Sequence, residues 1–100
     1  MHIVTVCGMG FGTSLMLLMD IQEIAKKNGY SVTGQAADIG SASTVPGDCY
    51  VASRDLAKKI LTEKLVISID NILNKSEIEE KIMPHIITFF EKESKHGQHN

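Results

Sequence analysis

Apolar positions along the 100-residue chain follow two alternating rhythms. Short runs of aliphatic and β-branched residues, His2-Ile-Val-Thr-Val6, Cys49-Tyr-Val-Ala52 and Leu65-Val-Ile-Ser-Ile69, read as buried strands. Between and after them, apolar residues recur at helical spacing. Leu17, Leu18, Ile21, Ile24 and Ala25 form one stripe, Leu56, Ala57, Ile60 and Leu61 a second, and Ile78, Ile82, Ile86 and Phe89 a third. The first helix has both ends marked: Thr13 or Ser14 supplies an N-cap, while Lys26, Lys27, Asn28 and Gly29 give cations and a C-terminal stop. Ser53 caps the second helix. The third begins near Ser76, with Glu77, Glu79 and Glu80 in its first turns, and Pro84 predicts a kink or a split within it. Ser31 to Ala37 can form a further strand, and Gly34 and Gln35 dilute its apolar character in a way that suits a sheet edge. Asp38 to Gly47 reads as loop.

Alternation of strand and helix predicts an α/β fold: a small doubly wound domain with a four-stranded parallel sheet of order 2-1-3-4. Helices cover both faces, because right-handed crossovers place them there. In such sheets the ligand crevice lies outside the carboxyl ends of the strands, where the connections change side, which here is the end of the first strand. The domain is expected to cover residues 1–92. Beyond Lys92 the chain reads Glu-Ser-Lys-His-Gly-Gln-His-Asn, too polar to join a core, so residues 93–100 are expected to form a disordered tail.

Composition alters this picture little. Hydrophobic residues make up 43% and charged residues 22%, and a net charge of −2 gives no electrostatic reason to expect nucleic acid. Cys7 and Cys49 form neither a disulfide framework nor a zinc pattern, which suits a reducing cytosol. A strand starting at His2 leaves no room for a signal peptide. The longest apolar stretch, Leu15 to Met19, is far short of the ~20 residues that cross a bilayer.

The chemistry lies between the first strand and the first helix, in Cys7-Gly-Met-Gly-Phe-Gly-Thr-Ser14. Glycines at 8, 10 and 12 can take dihedrals closed to other residues, so that successive backbone N–H groups converge on one anion, aided by the helix dipole. The same donors favour a thiolate, which makes Cys7 a candidate nucleophile able to carry a phosphoryl group. Alternatively, Cys7 only ends a buried strand and the glycines only make a turn. A nucleotide-binding loop would need GxxxxGK[ST], but no lysine occurs between His2 and Ile24. A dinucleotide loop needs GxGxxG where this chain has GxGxG. Low-molecular-weight phosphotyrosine phosphatases carry Cys-x5-Arg-Ser/Thr on a similar unit. Here that arginine is Thr13, and no Asp-Pro supplies an acid. Such a site is poorly equipped for hydrolysis and would hold its phosphoryl group for another acceptor.

With this loop the chain resembles the IIB component of the bacterial phosphoenolpyruvate-dependent sugar phosphotransferase system, ascorbate and galactitol types, whose pattern is Cys-Gly-x-Gly-x-Gly-[ST]-[SN]. Asp38-Ile-Gly40 and Val51-Ala-Ser53 sit where such proteins carry similar segments. The resemblance implies that Cys7 takes a phosphoryl group from a phosphohistidine on a IIA protein and passes it to a sugar held by the IIC membrane transporter. It also implies that Gly8, Met9, Gly10, Phe11, Gly12, Thr13 and Ser14 bind the phosphate, without metal or cofactor, on the cytoplasmic side. A cysteine phosphatase or arsenate reductase-like enzyme and a non-catalytic anion-binding module stay open as alternatives.

Arg54 follows the third strand near the crevice and is a further candidate for balancing phosphate charge, though such residues more commonly just start a helix. Asp38 and Asp70 face the same rim and read as loop and capping residues. Met16 and Met19 point away from the apolar stripe, and Met9 and Phe11 flank Cys7. Together they make a docking patch, unless the loop residues fold back onto the domain. Cys49 starts its strand at the opposite end and reads as structural. His85 reads as packed, and His96 and His99 in the tail form no site.

Overall fold

A strand covered on both faces must be apolar at successive positions, and five of the six residues of β1 (His2–Cys7) are buried. In the computed structural model, which describes residues 1–8 and 12–98 and side chains as far as residue 93, β1 occupies the interior of a parallel sheet. It pairs with β2 (Thr33–Asp38) on one side and β3 (Cys49–Ser53) on the other, and β3 pairs with β4 (Leu65–Ile69). The order β2-β1-β3-β4 is the one expected. Helix α1 (Gly12–Lys27) joins β1 to β2, α2 (Arg54–Ala57) joins β3 to β4, and α3 (Lys75–Gln98) follows β4.

The two-residue alternation of the strands divides the core. Ile3, Val51, Ile67 and Ile69 pack beneath α1 and α3, against Leu17, Ile21, Ile78 and Ile82. Val4, Val6, Tyr50 and Ala52 face the other way, beneath Leu56, Ile60 and the β2–β3 connection. That connection holds a single 3-10 turn, Ala42–Thr44, and is pinned by the Tyr50 hydroxyl, which donates to the Val45 carbonyl at 2.6 Å.

Helix α1 ends where Gly29 predicts. With φ at 88°, Gly29 donates to Lys26 O at 3.0 Å and Tyr30 donates to Ala25 O at 2.8 Å, the paired bonds of a glycine-terminated helix. Its start differs from the prediction. The helix begins at Gly12, so Thr13 and Ser14 lie in its first turn rather than at the cap. Strand β2 begins at Thr33, whose N–H donates to Met1 O, because Val32 is drawn into the core instead.

The second helix is shorter than its apolar spacing predicts, and of the two outcomes open at Pro84 the split does not occur. The second helix is a single turn, and Leu61, expected inside, is 81% exposed. Residues 54–64 must return the chain to the start of β4, which is the lower limit for a helical crossover, so only one turn fits before the backbone extends. In α3, Pro84 lies within one continuous helix and does not split it. Phe89 is half-buried, and it is Phe90 that packs on the core, 5.2 Å from the Tyr30 ring. The helix runs on to Gln98, past the point where the polar tail begins, and residues 99–100 lie outside the described residues.

Candidate functional site

Cys7 is the last residue of β1 and lies opposite Asp38 of β2. Its carbonyl accepts from Ile39 N–H at 2.8 Å and its Sγ donates to Ala37 O at 3.6 Å, so the sheet itself fixes the thiol. The side chain lines a cleft of about 190 Å³, together with Gly8, Thr13 and Ser14 from the β1–α1 corner and Ser53 from the end of β3. Leu17, Leu56 and Ile72 supply apolar walls. The cleft opens at the carboxyl ends of the strands, where β1 hands on to neighbours on either side, as a doubly wound sheet requires.

Local tethers hold the first turn of α1 against the sheet. Thr5 is wholly buried, and its hydroxyl donates to the Ser14 carbonyl at 2.7 Å, spanning the corner from strand to helix. No acidic residue lies in that first turn, so the positive end of the helix dipole is left for an external anion. The space around two of the corner's glycines is open. Among the described residues the positive-φ glycine is Gly29, which ends α1 far from this corner. An added Cβ on Gly8 would meet Leu56 at ordinary contact, 3.9 Å, and one on Gly12 would meet nothing within 4 Å. These glycines leave room for an anion to approach the backbone. Met9, Gly10 and Phe11 lie outside the described residues.

Arg54 does not line the cleft. It ion-pairs with Asp70 in a neighbouring depression that shares Ser53. Asp38 is the last residue of β2 rather than a loop residue, and it caps the turn that follows: its Oδ1 accepts from Ser41 N–H at 2.8 Å and from the Ser41 hydroxyl at 2.9 Å. Met16 and Met19 are exposed, as their position on the helix predicts, and Leu15 and Leu73 join them. His85 is half-buried, whereas His99 and the side chain of His96 lie outside the described residues. Cys49 is wholly buried at the far end of β3. Burial, reinforced by the Asp48 carboxylate, pushes its thiol up from an ordinary 9.0 to about 12. It is structural, as expected.

Sequence reasoning missed Thr5 and the clamp on the β4–α3 turn. Thr5 was visible as the one hydroxyl inside the first apolar run. The clamp was not, since it depends on Glu77 folding back along the chain. The Glu77 carboxylate accepts from Lys81 Nζ at 2.7 Å and from the backbone N–H groups of Asp70 and Asn71. Asn74 Oδ1 accepts from Glu77 N–H at 3.2 Å and caps α3. Ile72, a wall of the cleft, sits within this turn.

The Lys81 ammonium first, and then the two amides, hold the Glu77 carboxyl down from 4.5 to about 2. A depressed folded-state value means the clamp stabilises the fold above about pH 4.5 and loses that contribution as pH falls toward 2. Urea midpoints should therefore show Glu77→Gln below wild type at pH 6, with the gap closing between about pH 4.5 and 2. A gap that stays constant through this range would contradict the clamp.

Among the described residues no cluster of three or more His, Cys, Asp or Glu is placed to hold a metal, and no helix is long and apolar enough to cross a membrane. Residues 2–83 match the family model described as "PTS system, Lactose/Cellobiose specific IIB subunit". The chain is also similar to the "Ascorbate-specific PTS system EIIB component" of Mycoplasma pneumoniae. The two are 23% identical over 86 residues, covering 82% of this chain and 90% of that protein. The two descriptions differ in sugar and agree in component. With the match covering all four strands and the whole β1–α1 corner, the chain belongs to the IIB family of the sugar phosphotransferase system.

Proposed function

We propose that Cys7 is the phosphoryl carrier through which this IIB protein takes part in sugar phosphotransfer. The observation that carries the reading is the seat of Cys7: a thiol at the end of an interior strand, lining a cleft beside a helix N-terminus that has no acid of its own. The Cys7 sulfur attacks the phosphorus of a phosphohistidine on a IIA protein, the P–N bond breaks, and the thiol proton ends on the released imidazole. A hydroxyl of the sugar held by the IIC transporter then attacks the phosphocysteine. The S–P bond breaks, and the hydroxyl proton returns to sulfur or solvent. Backbone N–H groups from Gly8 to Ser14 steady the transferring group, where charge is greatest in flight. No cofactor is needed. Residues 1–92 act as the carrier domain, on the cytoplasmic side where the IIA protein is found. Exposed Leu15, Met16 and Met19 suit a surface that meets these partners in turn.

The test is incubation with phosphoenolpyruvate, the general phosphotransferase proteins and a IIA protein, followed by intact mass. One phosphate adduct is expected on the wild type and none on Cys7→Ser. No adduct, combined with Cys7-dependent turnover of p-nitrophenyl phosphate, would favour a cysteine phosphatase. Inertness in both assays would leave an anion-binding module.

A further inference from the structure

Arg54 is the one arginine in the chain, and it follows directly on Ser53, which lines the Cys7 cleft. The parallel register sets the distance. Pairing of β1 with β3 runs as far as Thr5 opposite Val51, two residues short of Cys7 and of Ser53, and these two line one cleft, so strand spacing implies about 9 Å between the Arg54 and Cys7 backbones. An extended arginine side chain spans such a gap. Yet the guanidinium is turned aside: Nη2 meets Asp70 Oδ1 at 2.5 Å, in the depression that Asp55 also lines. The other Asp70 oxygen lies 3.5 Å from Lys81 Nζ, which Glu77 holds more closely at 2.7 Å.

We propose that Asp70 is a competing partner that keeps Arg54 off the Cys7 cleft, and that a phosphoryl group arriving at Cys7 draws the guanidinium away from it. The proposal rests on the carrier reading of Cys7. The side chains of Arg54 and Asp70 are 64% and 50% exposed, so solvent screens their pair and it opens easily. A phosphoryl dianion offers the planar guanidinium two acceptor oxygens and about twice the charge of a carboxylate. Asp70 is not orphaned by the exchange, because Lys81 remains beside it. The cleft thus gains a cation only once it is filled. Its apparent affinity for phosphate is lowered by the fraction of time Arg54 spends on Asp70.

The experiment measures the rate of Cys7 alkylation by iodoacetamide while inorganic phosphate is titrated, in wild type, Asp70→Asn, Arg54→Gln and the double variant. Asp70→Asn should lower the half-protecting phosphate concentration by about two- to sixfold, the range open to an exposed pair. Arg54→Gln should raise it, and Asp70→Asn should then change nothing in the Arg54→Gln background. An equal shift in that background would mean that removal of a negative charge acts alone, and would overturn the proposal. So would an unchanged midpoint in Asp70→Asn, or no protection by phosphate in any variant. Protection by inorganic phosphate needs no phosphorylated donor, so the outcome is separate from the adduct assay. A wild type that takes no adduct but shows protection dependent on both Asp70 and Arg54 would overturn the carrier reading and support the exchange.

Discussion

Iodoacetamide should place one adduct on the native protein, at Cys7, and leave Cys49 unmodified until denaturant is added. The thiolate is the reacting species, and a shift from 9.0 to about 12 lowers the thiolate fraction of Cys49 roughly a thousandfold at neutral pH. Reagent must also reach it, and Cys49 is wholly covered at the start of β3 beneath α1 and α3. Cys7 is mostly buried as a residue, but it forms part of the wall of an open cleft. The two thiols sit at opposite ends of the sheet, so modification of one does not shield the other. Intact mass followed by peptide mapping reads the result directly. Labelling of Cys49 at a comparable rate in native buffer would mean that the core around it opens far more freely than its packing implies.

Gly34→Ala should destabilise the fold by about 2–3 kcal/mol, lowering the melting temperature by on the order of 10 °C or more. Gly34 pairs with Ile3 on the edge strand, and Leu18 of α1 lies directly over it. A Cβ there would come closer than 3.0 Å to both the Ile3 carbonyl oxygen and Leu18 Cδ1. Leu18 can rotate away, but the carbonyl belongs to the interior strand and cannot yield without disturbing β1. Gly12→Ala is the matched control: with nothing within 4 Å, it should melt close to wild type. Equal melting of Gly34→Ala and wild type would show that α1 and β2 do not make this approach.

Gly34 also illustrates how far the sequence is legible. Read as weak strand character, it correctly suggested an edge position, but the cause is steric: the glycine lets a helix sit down on the sheet. Three of the four strands followed from apolar runs, because a strand covered on both faces must hide successive residues, while the second was read despite its weak apolar character and the order came from the fold that alternating strands and helices predict. The length of the second helix did not. Leu56, Ala57, Ile60 and Leu61 have helical spacing, yet the connection from Ser53 to Leu65 is too short to use it, and periodicity carries no information about the distance to be crossed. At the site, Cys7 and the corner that follows it were marked by local sequence. The partners that complete the surroundings come from afar: Ile72 and the Asp70, Glu77 and Lys81 group reach the cleft and its rim only because β4 lies next to β3. The pairing of Arg54 with Asp70 falls in the same category, being a contact between residues on successive strand ends.

The brevity of α2 has a dynamic consequence. None of its four residues is fully buried, whereas α1 buries six side chains along its length and packs against α3 as well. Cooperative opening of a native protein starts where few apolar contacts must be given up. The two sides of the Cys7 cleft therefore differ in stiffness. The side made by Thr13, Ser14 and Leu17 belongs to a helix anchored by six buried side chains, while Leu56, on the other side, belongs to a single turn that buries none fully. A donor protein and a sugar-bearing transporter differ greatly in shape. On the carrier reading proposed above, a cleft with one firmly packed side and one lightly packed side can admit both without moving the Cys7 sulfur.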